Sequence, residues 1–169
     1  MIRSPDLRIN SPCGTEITSY ADFHVLEVAW RTYPRDAVDT LVQTWKLEGP
    51  PRPGHAIGGE SVVLFWPAPR RWWLRSERVV TPAPIIQGLA VTEISDATAC
   101  FEIRGDSSRQ WVMQFSPADL RPKNFRPSQV TWTRFAYTRA LLHCRLDDAL
   151  DVYVGRSVAH DIIKRCTSG

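Results

Sequence analysis

Long hydrophobic runs are missing from these 169 residues. No apolar segment approaches the roughly 20 residues that a membrane-spanning helix requires, so a membrane partner is not expected. Residues 1–10 carry Arg3, Asp6 and Arg8 without an apolar centre, which argues against a signal peptide and for a cytoplasmic protein. Charge of one sign is equally scarce. With 21 Lys and Arg against 18 Asp and Glu, the net charge is +3, too small and too dispersed to demand nucleic acid. The 4 cysteines, Cys13, Cys100, Cys144 and Cys166, have no C-x-x-C spacing, which excludes a zinc knuckle and a dithiol redox motif and leaves reduced, buried thiols.

Catalytic signatures are also lacking. There is no G-x-S-x-G elbow, no H-E-x-x-H helix, no flavin-dinucleotide fingerprint and no paired-carboxylate motif. Gly54, Gly58 and Gly59 are not followed by Lys-Ser or Lys-Thr, so they mark a surface loop rather than a phosphate cradle. Among the histidines, His24 falls in an apolar strand and reads as a sheet histidine, while His55 lies in a Gly/Pro loop and reads as solvated. His143 and Cys144 are neighbours in a strand, so they face opposite ways and cannot form a dyad. His160 and Asp161 are neighbours on a helix and do not face each other either. Asp147-Asp148 reads as a turn. No catalytic, cofactor-binding or metal-binding residue is therefore expected in this chain.

What is present is the makeup of a globular domain, 43% apolar and 23% charged, long enough to bury about 70% of its unfolded surface. Seven Trp residues exceed what a small core readily takes, and Trp is enriched at protein interfaces. Residues 1–20 mix Ser, Pro, Gly and Thr without period and read as an extended arm. Residues 21–169 read as one α+β domain made of two half-units, about 21–88 and 89–169. In the first, a half-buried strand from Phe23 to Arg31 places His24, Leu26, Val28 and Trp30 on one face. Asp36 caps a helix with Ala37, Val38, Leu41, Val42 and Trp45 at helical spacing, which Gly49 and Pro50 stop. Ser61 to Trp66 and Trp72 to Arg75 form a hairpin over Pro67-Ala-Pro-Arg-Arg71, and residues 77–88 carry at most one short turn. In the second half-unit, Leu89 to Ile94 and Thr98 to Arg104 pair across Ser95-Asp-Ala97. A helix then starts at Gly105 and Asp106 with Trp111, Val112 and Phe115 inward. Val130 to Phe135, Arg139 to Arg145 and Leu150 to Val154 are strands, and Arg156 to Cys166 is a closing helix that buries Val158, Ile162 and Ile163. The order predicts antiparallel sheets with helices on one face, two ferredoxin-like split β-α-β units.

Between the helix and strands of the second half-unit lies Ala118-Asp-Leu-Arg-Pro-Lys-Asn-Phe125, braced by Pro117, Pro122 and Pro127, which keep the backbone out of helix. Arg70, Arg71, Trp72 and Trp73 form a basic aromatic tip. It suits another protein better than a stacking platform for RNA. With Asp119, Leu120 and Phe125, these are the candidate interface residues.

The runs Val91-Thr-Glu-Ile-Ser-Asp96, Phe101-Glu-Ile-Arg-Gly105 and Ala118-Asp-Leu120 with Pro122 and Phe125 continue into Thr133-Arg134, Ala140-Leu-Leu-His143, Asp151-Val-Tyr-Val154 and Arg156-Ser157. In that order they resemble the gamma subunit of heterotetrameric sarcosine oxidase, over roughly residues 89–166. Small subunits of related N-methyl amino acid dehydrogenases, such as N-methylglutamate dehydrogenase, are similar. The resemblance implies a fold like the folate-binding domain of the glycine-cleavage T protein, and partners of alpha, beta and delta type. It implies a complex that uses FAD, FMN and NAD to demethylate sarcosine and passes the one-carbon unit to tetrahydrofolate. In that family the chemistry belongs to the larger subunits, so no catalytic residue is carried over. Pro67-Ala-Pro-Arg-Arg71 departs from the Gly-Pro-Asp-Glu-like turn of relatives and leaves the amine substrate open.

Overall fold

The structure, a computed structural model, describes residues 7–10, 14–20, 23–58, 62–77, 87–146 and 149–167. In chain order the elements are β1 (Leu7–Asn10), β2 (Glu16–Tyr20), β3 (His24–Ala29), α1 (Arg35–Thr44), β4 (Ala56–Gly58), β5 (Val62–Ala68), β6 (Arg71–Ser76), β7 (Ala90–Glu93), β8 (Thr98–Arg104), α2 (Ser108–Phe115), β9 (Val130–Phe135), β10 (Thr138–Leu146), β11 (Ala149–Gly155) and α3 (Arg156–Thr167). They divide into two units, one drawn from Met1–Asp22 and Asp96–Gly169, the other from Phe23–Ser95. Each is an antiparallel sheet with helices on one face, the α+β class expected from the order of elements.

The smaller unit has strand order β4-β5-β6-β3-β7. Without the short edge strand β4 this is the ferredoxin-like order, with α1 crossing between the parallel pair β3 and β5. Its core gathers Leu26, Val28, Trp30, Val38, Leu41, Leu64, Trp72 and Leu74. Phe23 and Val25 are buried as well, so β3 is covered on both faces rather than half-buried. The alternation of the sequence hid this, because Glu27 among them looks solvent-facing; it instead accepts from Arg71 and Trp73. Helix α1 is capped by Pro34, not by Asp36, which lies in the first turn and there favours the positive end of the helix dipole. The helix ends before Lys46, at φ 51.

The larger unit has order β1-β2-β8-β11-β10-β9. Strands β2, β8, β11 and β10 repeat the ferredoxin-like order, but the fourth strand comes from the amino-terminal end of the chain. The expected arm is thus part of a sheet: β2 pairs with β8, Thr18 opposite Glu102, and β1 pairs with β2. The remainder of the expected arm, residues 1–6 and 11–13, lies outside the described residues. Ile17, Phe101, Ile103, Trp111, Leu142, Val152 and Ile162 form its core with the helices. Gly105 follows β8 at φ +114, with the Gly14 carbonyl 2.9 Å from where a Cβ would stand, so only glycine fits this approach.

The expected pairing of residues 89–94 with 98–104 does not form. Strand β7 pairs with β3, while β8 pairs with β2 and β11. Val25 N–H donates to Ser95 Oγ at 3.0 Å, and Ile94 N–H donates to the Val25 carbonyl at 2.9 Å. These bonds hold residues 94 and 95 to the smaller unit, so a tight turn at Ser95-Asp-Ala97 joins two sheets instead of two hairpin strands. Helix α2 begins at Ser108, three positions later than expected. The Asp147-Asp148 turn lies outside the described residues, as do residues 78–86.

Candidate functional site

The densest polar cluster lies on the face of the larger sheet opposite the helices. Thr18, Glu102, Asp151, His143 and Val130 are register partners in one row across five strands. Glu102, Asp151 and His143 are 3%, 1% and 5% exposed. Carboxylates this deep persist as anions only when paired, and both have partners. Tyr20 donates its hydroxyl to Glu102 Oε2 at 2.6 Å, and both Arg104 and Arg145 donate to Oε1. A register shift between Cys144 and Leu146 puts Arg145 at a bulge, aimed to the same face, where its Nη2 stands 3.9 Å from Asp151 Oδ1. His143 Nδ1 lies 3.3 Å from Asp151 Oδ2.

Burial alone would raise the Glu102 carboxyl, but the Tyr20 hydroxyl and the two guanidinium groups outweigh it and hold the group below its ordinary value. Burial and the bond to Glu102 push the Tyr20 phenol up. Glu102 is therefore a locked anion rather than a proton acceptor. His143 and Cys144 do face opposite ways, Cys144 entering the helix-side core. Among the described residues, no group of three or more His, Cys, Asp or Glu side chains is placed to hold a metal ion.

A second arrangement supports residues 118–125. Arg109 of α2 is 6% exposed. Its Nη1 donates to the carbonyls of Leu120 and Phe125, at 2.6 and 2.7 Å, and its Nη2 stands 3.1 Å from Cys144 Sγ. Leu120 and Phe125 themselves point into the core, 0% and 5% exposed. Only the polar part of the segment faces outward: Asp119 accepts from Arg121 and Asn124, and the Arg121 guanidinium holds its carboxyl well below the usual carboxylate range. The prolines keep this loop from becoming helix, and Arg109 fixes its position.

The basic aromatic tip is turned inside out relative to expectation. Trp72 is 0% and Trp73 9% exposed. Trp72 packs against Trp30 and Trp66 with ring centroids 4.8 and 5.8 Å away, and Trp73 donates to Glu27 at 3.0 Å. With both faces of Trp72 enclosed, no base can stack there. Pro67 belongs to β5, so the turn is only Pro69-Arg70, with Arg70 at φ 59. Arg70 remains exposed, and Arg71 is tied to Glu27. His24 lies 3.4 Å from Glu93 and His55 3.0 Å from the Pro53 carbonyl.

Neither Arg109 nor the Glu102 row was singled out from sequence. A signal existed for the row: Glu102 and Asp151 each interrupt a run of buried strand residues, where a carboxylate cannot reach water. Arg109, one charge on an amphipathic helix, gave none.

A groove of about 650 Å³ in the larger unit is lined by Gln114, Phe115, Ser116, Pro117, Arg134, Ala136, Tyr137 and Arg165. In the smaller unit, an open hollow of about 580 Å³ runs along Ala29–Thr32 and Gly88–Ala90.

The two permuted and unpermuted split β-α-β units define the fold class, and solved structures share it. No protein-family profile and no curated protein matches the sequence. A chain of the heterotetrameric sarcosine oxidase from Corynebacterium sp. U-96, solved in complex with pyrrole 2-carboxylate, is similar with a TM-score of 0.78 and 16% identity, over 90% of this chain and 83% of that one. The glycine cleavage system aminomethyltransferase T from Bartonella henselae is similar with a TM-score of 0.62 and 11% identity. That match covers 88% of this chain, which spans less than half (44%) of the aminomethyltransferase. At these identities the likeness is one of fold.

Proposed function

We propose that this chain is a non-catalytic structural subunit of a multi-subunit, flavin-dependent oxidase of N-methyl amino acids, the gamma subunit of a sarcosine oxidase. The observation that carries the reading is the near-reciprocal match to a chain of such an oxidase, 90% of one against 83% of the other. In this reading FAD, FMN and NAD sit with the alpha, beta and delta chains, and tetrahydrofolate receives the one-carbon unit. The chain contributes rigid surface. Residues 118–125, held by Arg109 from within, offer Asp119, Arg121 and Lys123 to a neighbour, and Arg70 and Arg71 offer a second, basic contact. Leu120, Phe125, Trp72 and Trp73 support these contacts from inside. The commitment of Glu102 and Asp151 to ion pairs agrees with support rather than proton transfer.

Co-expression with alpha-like and beta-like chains tests the proposal. The expected result is a co-purifying assembly with flavin absorption bands; a stable monomer that never co-purifies with them would sink it. The T-protein likeness favours a second reading, a folate-binding or aminomethyl-transferring protein. The small subunit of an N-methylglutamate-type dehydrogenase is a variant of the first. Calorimetric titration of the lone chain with tetrahydrofolate decides for the second reading if binding is tight, and substrate oxidation by the assembly separates the two amines.

A further inference from the structure

The β9–β10 hairpin has the wrong residues for its own turn. Phe135 and Thr138 are paired, and the two residues between them, Ala136 and Tyr137, sit at φ 47 and 76. Two positive φ values in a two-residue loop are the signature of a type I′ turn, which strongly favours Asn-Gly. A Tyr there is strained. Tyr137 itself is 90% exposed and gains no burial from the turn, while its neighbour Ala136 donates its N–H to the Phe115 carbonyl at 2.9 Å. The stem adds a second oddity: Arg134 and Arg139 are direct cross-strand partners, an arrangement that like charges disfavour. Arg139 is occupied by the ring of Trp132, 4.1 Å from its centroid. Arg134 has no hydrogen-bond or ion-pair partner among the described residues, and neither has Arg165. Both line the groove of about 650 Å³, whose walls also include Phe115, Pro117 and Tyr137 beside the polar Gln114 and Ser116.

An apolar wall, a projecting phenol ring and two unneutralised guanidinium groups are complementary to one kind of occupant. We propose that this groove is a docking site for an acidic, extended polypeptide segment of a partner chain, its carboxylates against Arg134 and Arg165 and its apolar side chains against Phe115 and Tyr137. The inference rests on the subunit reading only in taking the occupant to be a polypeptide. The unpaired charge is then a feature of the free chain that docking neutralises.

The test uses the full chain and a fluorescently labelled alternating Glu-Leu peptide, with an alternating Lys-Leu peptide as charge control. Saturable binding of the Glu-Leu peptide alone, weakened roughly tenfold or more in Arg134→Gln/Arg165→Gln, supports the site. Tyr137→Gly separates docking from folding: it should raise the melting temperature, because glycine suits φ 76, while weakening the peptide. Undiminished binding in either variant, equal binding of the Lys-Leu peptide, or displacement by free glutamate or inorganic phosphate at matched concentration overturns the proposal; the last identifies a small-anion site instead. Co-purification of the large chains bears on the subunit reading alone, so the two can fail separately.

Discussion

The two units share one core strand order, permuted in the larger, and hold it together by different chemistry. In the smaller unit the core is an aromatic packing problem: Trp30, Trp66 and Trp72 meet edge to face, and the Trp66 and Trp72 indole N–H groups have no hydrogen-bond partner among the described residues. In the larger unit the core mixes aliphatic side chains with a smaller ring cluster, Trp111, Phe115 and Phe135, around a buried guanidinium, and the opposite sheet face carries a row of paired charges. Strand pairing order therefore sets this topology, while core chemistry is free to differ. Buried polarity needs a cause that burial of apolar area does not supply. In the larger unit the cause is positional: Arg109 fixes a loop, and the Glu102 row ties β2 to strands about 80 residues away, as the Tyr20–Glu102 bond spans 82 positions.

The largest effect should come from Trp72→Ala, which empties the middle of the aromatic cluster and should destabilise by about 3–5 kcal/mol, measured by chemical denaturation. Because the indole N–H has no bond to lose, Trp72→Phe should cost well under half as much. An equal cost for both would show that the smaller unit also depends on a polar contact and would erase the contrast between the units.

Arg109→Met is the counterpart in the larger unit. It keeps most of the volume but strands two buried carbonyls, each lost partner costing about 1–3 kcal/mol. The expected loss is about 3 kcal/mol, with hydrogen exchange accelerated in residues 118–125 before the rest of the unit. Uniform acceleration would mean that Arg109 packs rather than positions.

Much of the fold was legible from periodicity. The strands expected at Thr98 to Arg104 and Val130 to Phe135 coincide with β8 and β9, and the closing helix from Arg156 differs from α3 by one residue. Pattern fails where pairing is non-local. Residues 16–20 alternate too briefly to announce a strand, and their partner β8 is distant in sequence. The segment before Ser95 looked like a hairpin arm because the spacing to β8 was right, yet spacing cannot say which sheet a strand joins. Seven Trp suggested an interface, whereas the described structure turns four of them, Trp30, Trp72, Trp73 and Trp111, inward to 9% exposure or less. Among the described residues the exposed aromatics are Tyr33 and, far more so, Tyr137, the latter ordinary in sequence and unusual only in its backbone angle.

Acid should attack the larger unit first. Glu102 is held below its ordinary value, so its pairing stabilises the fold at neutral pH and that contribution is lost as pH falls below the unfolded value of about 4.3 toward the lower folded one. Glu102→Gln should cost about 1–3 kcal/mol at pH 7 and flatten the acid limb of the stability curve. A variant with an unchanged acid limb would show that Asp151 or another carboxylate governs it.

The smallest effect belongs to alkaline pH, and it arises in the helix-side core. Burial pushes the Cys166 thiol up to about 11 from its ordinary value of 9.0. Between those values the unfolded chain releases the proton and the folded chain keeps it, so stability is full below pH 9 and declines as pH rises through 11. Cys166→Ala leaves a small void that lowers stability equally at every pH, but it should remove this decline. An alkaline decline that survives Cys166→Ala unchanged would mean that a group other than this buried thiol sets the limb.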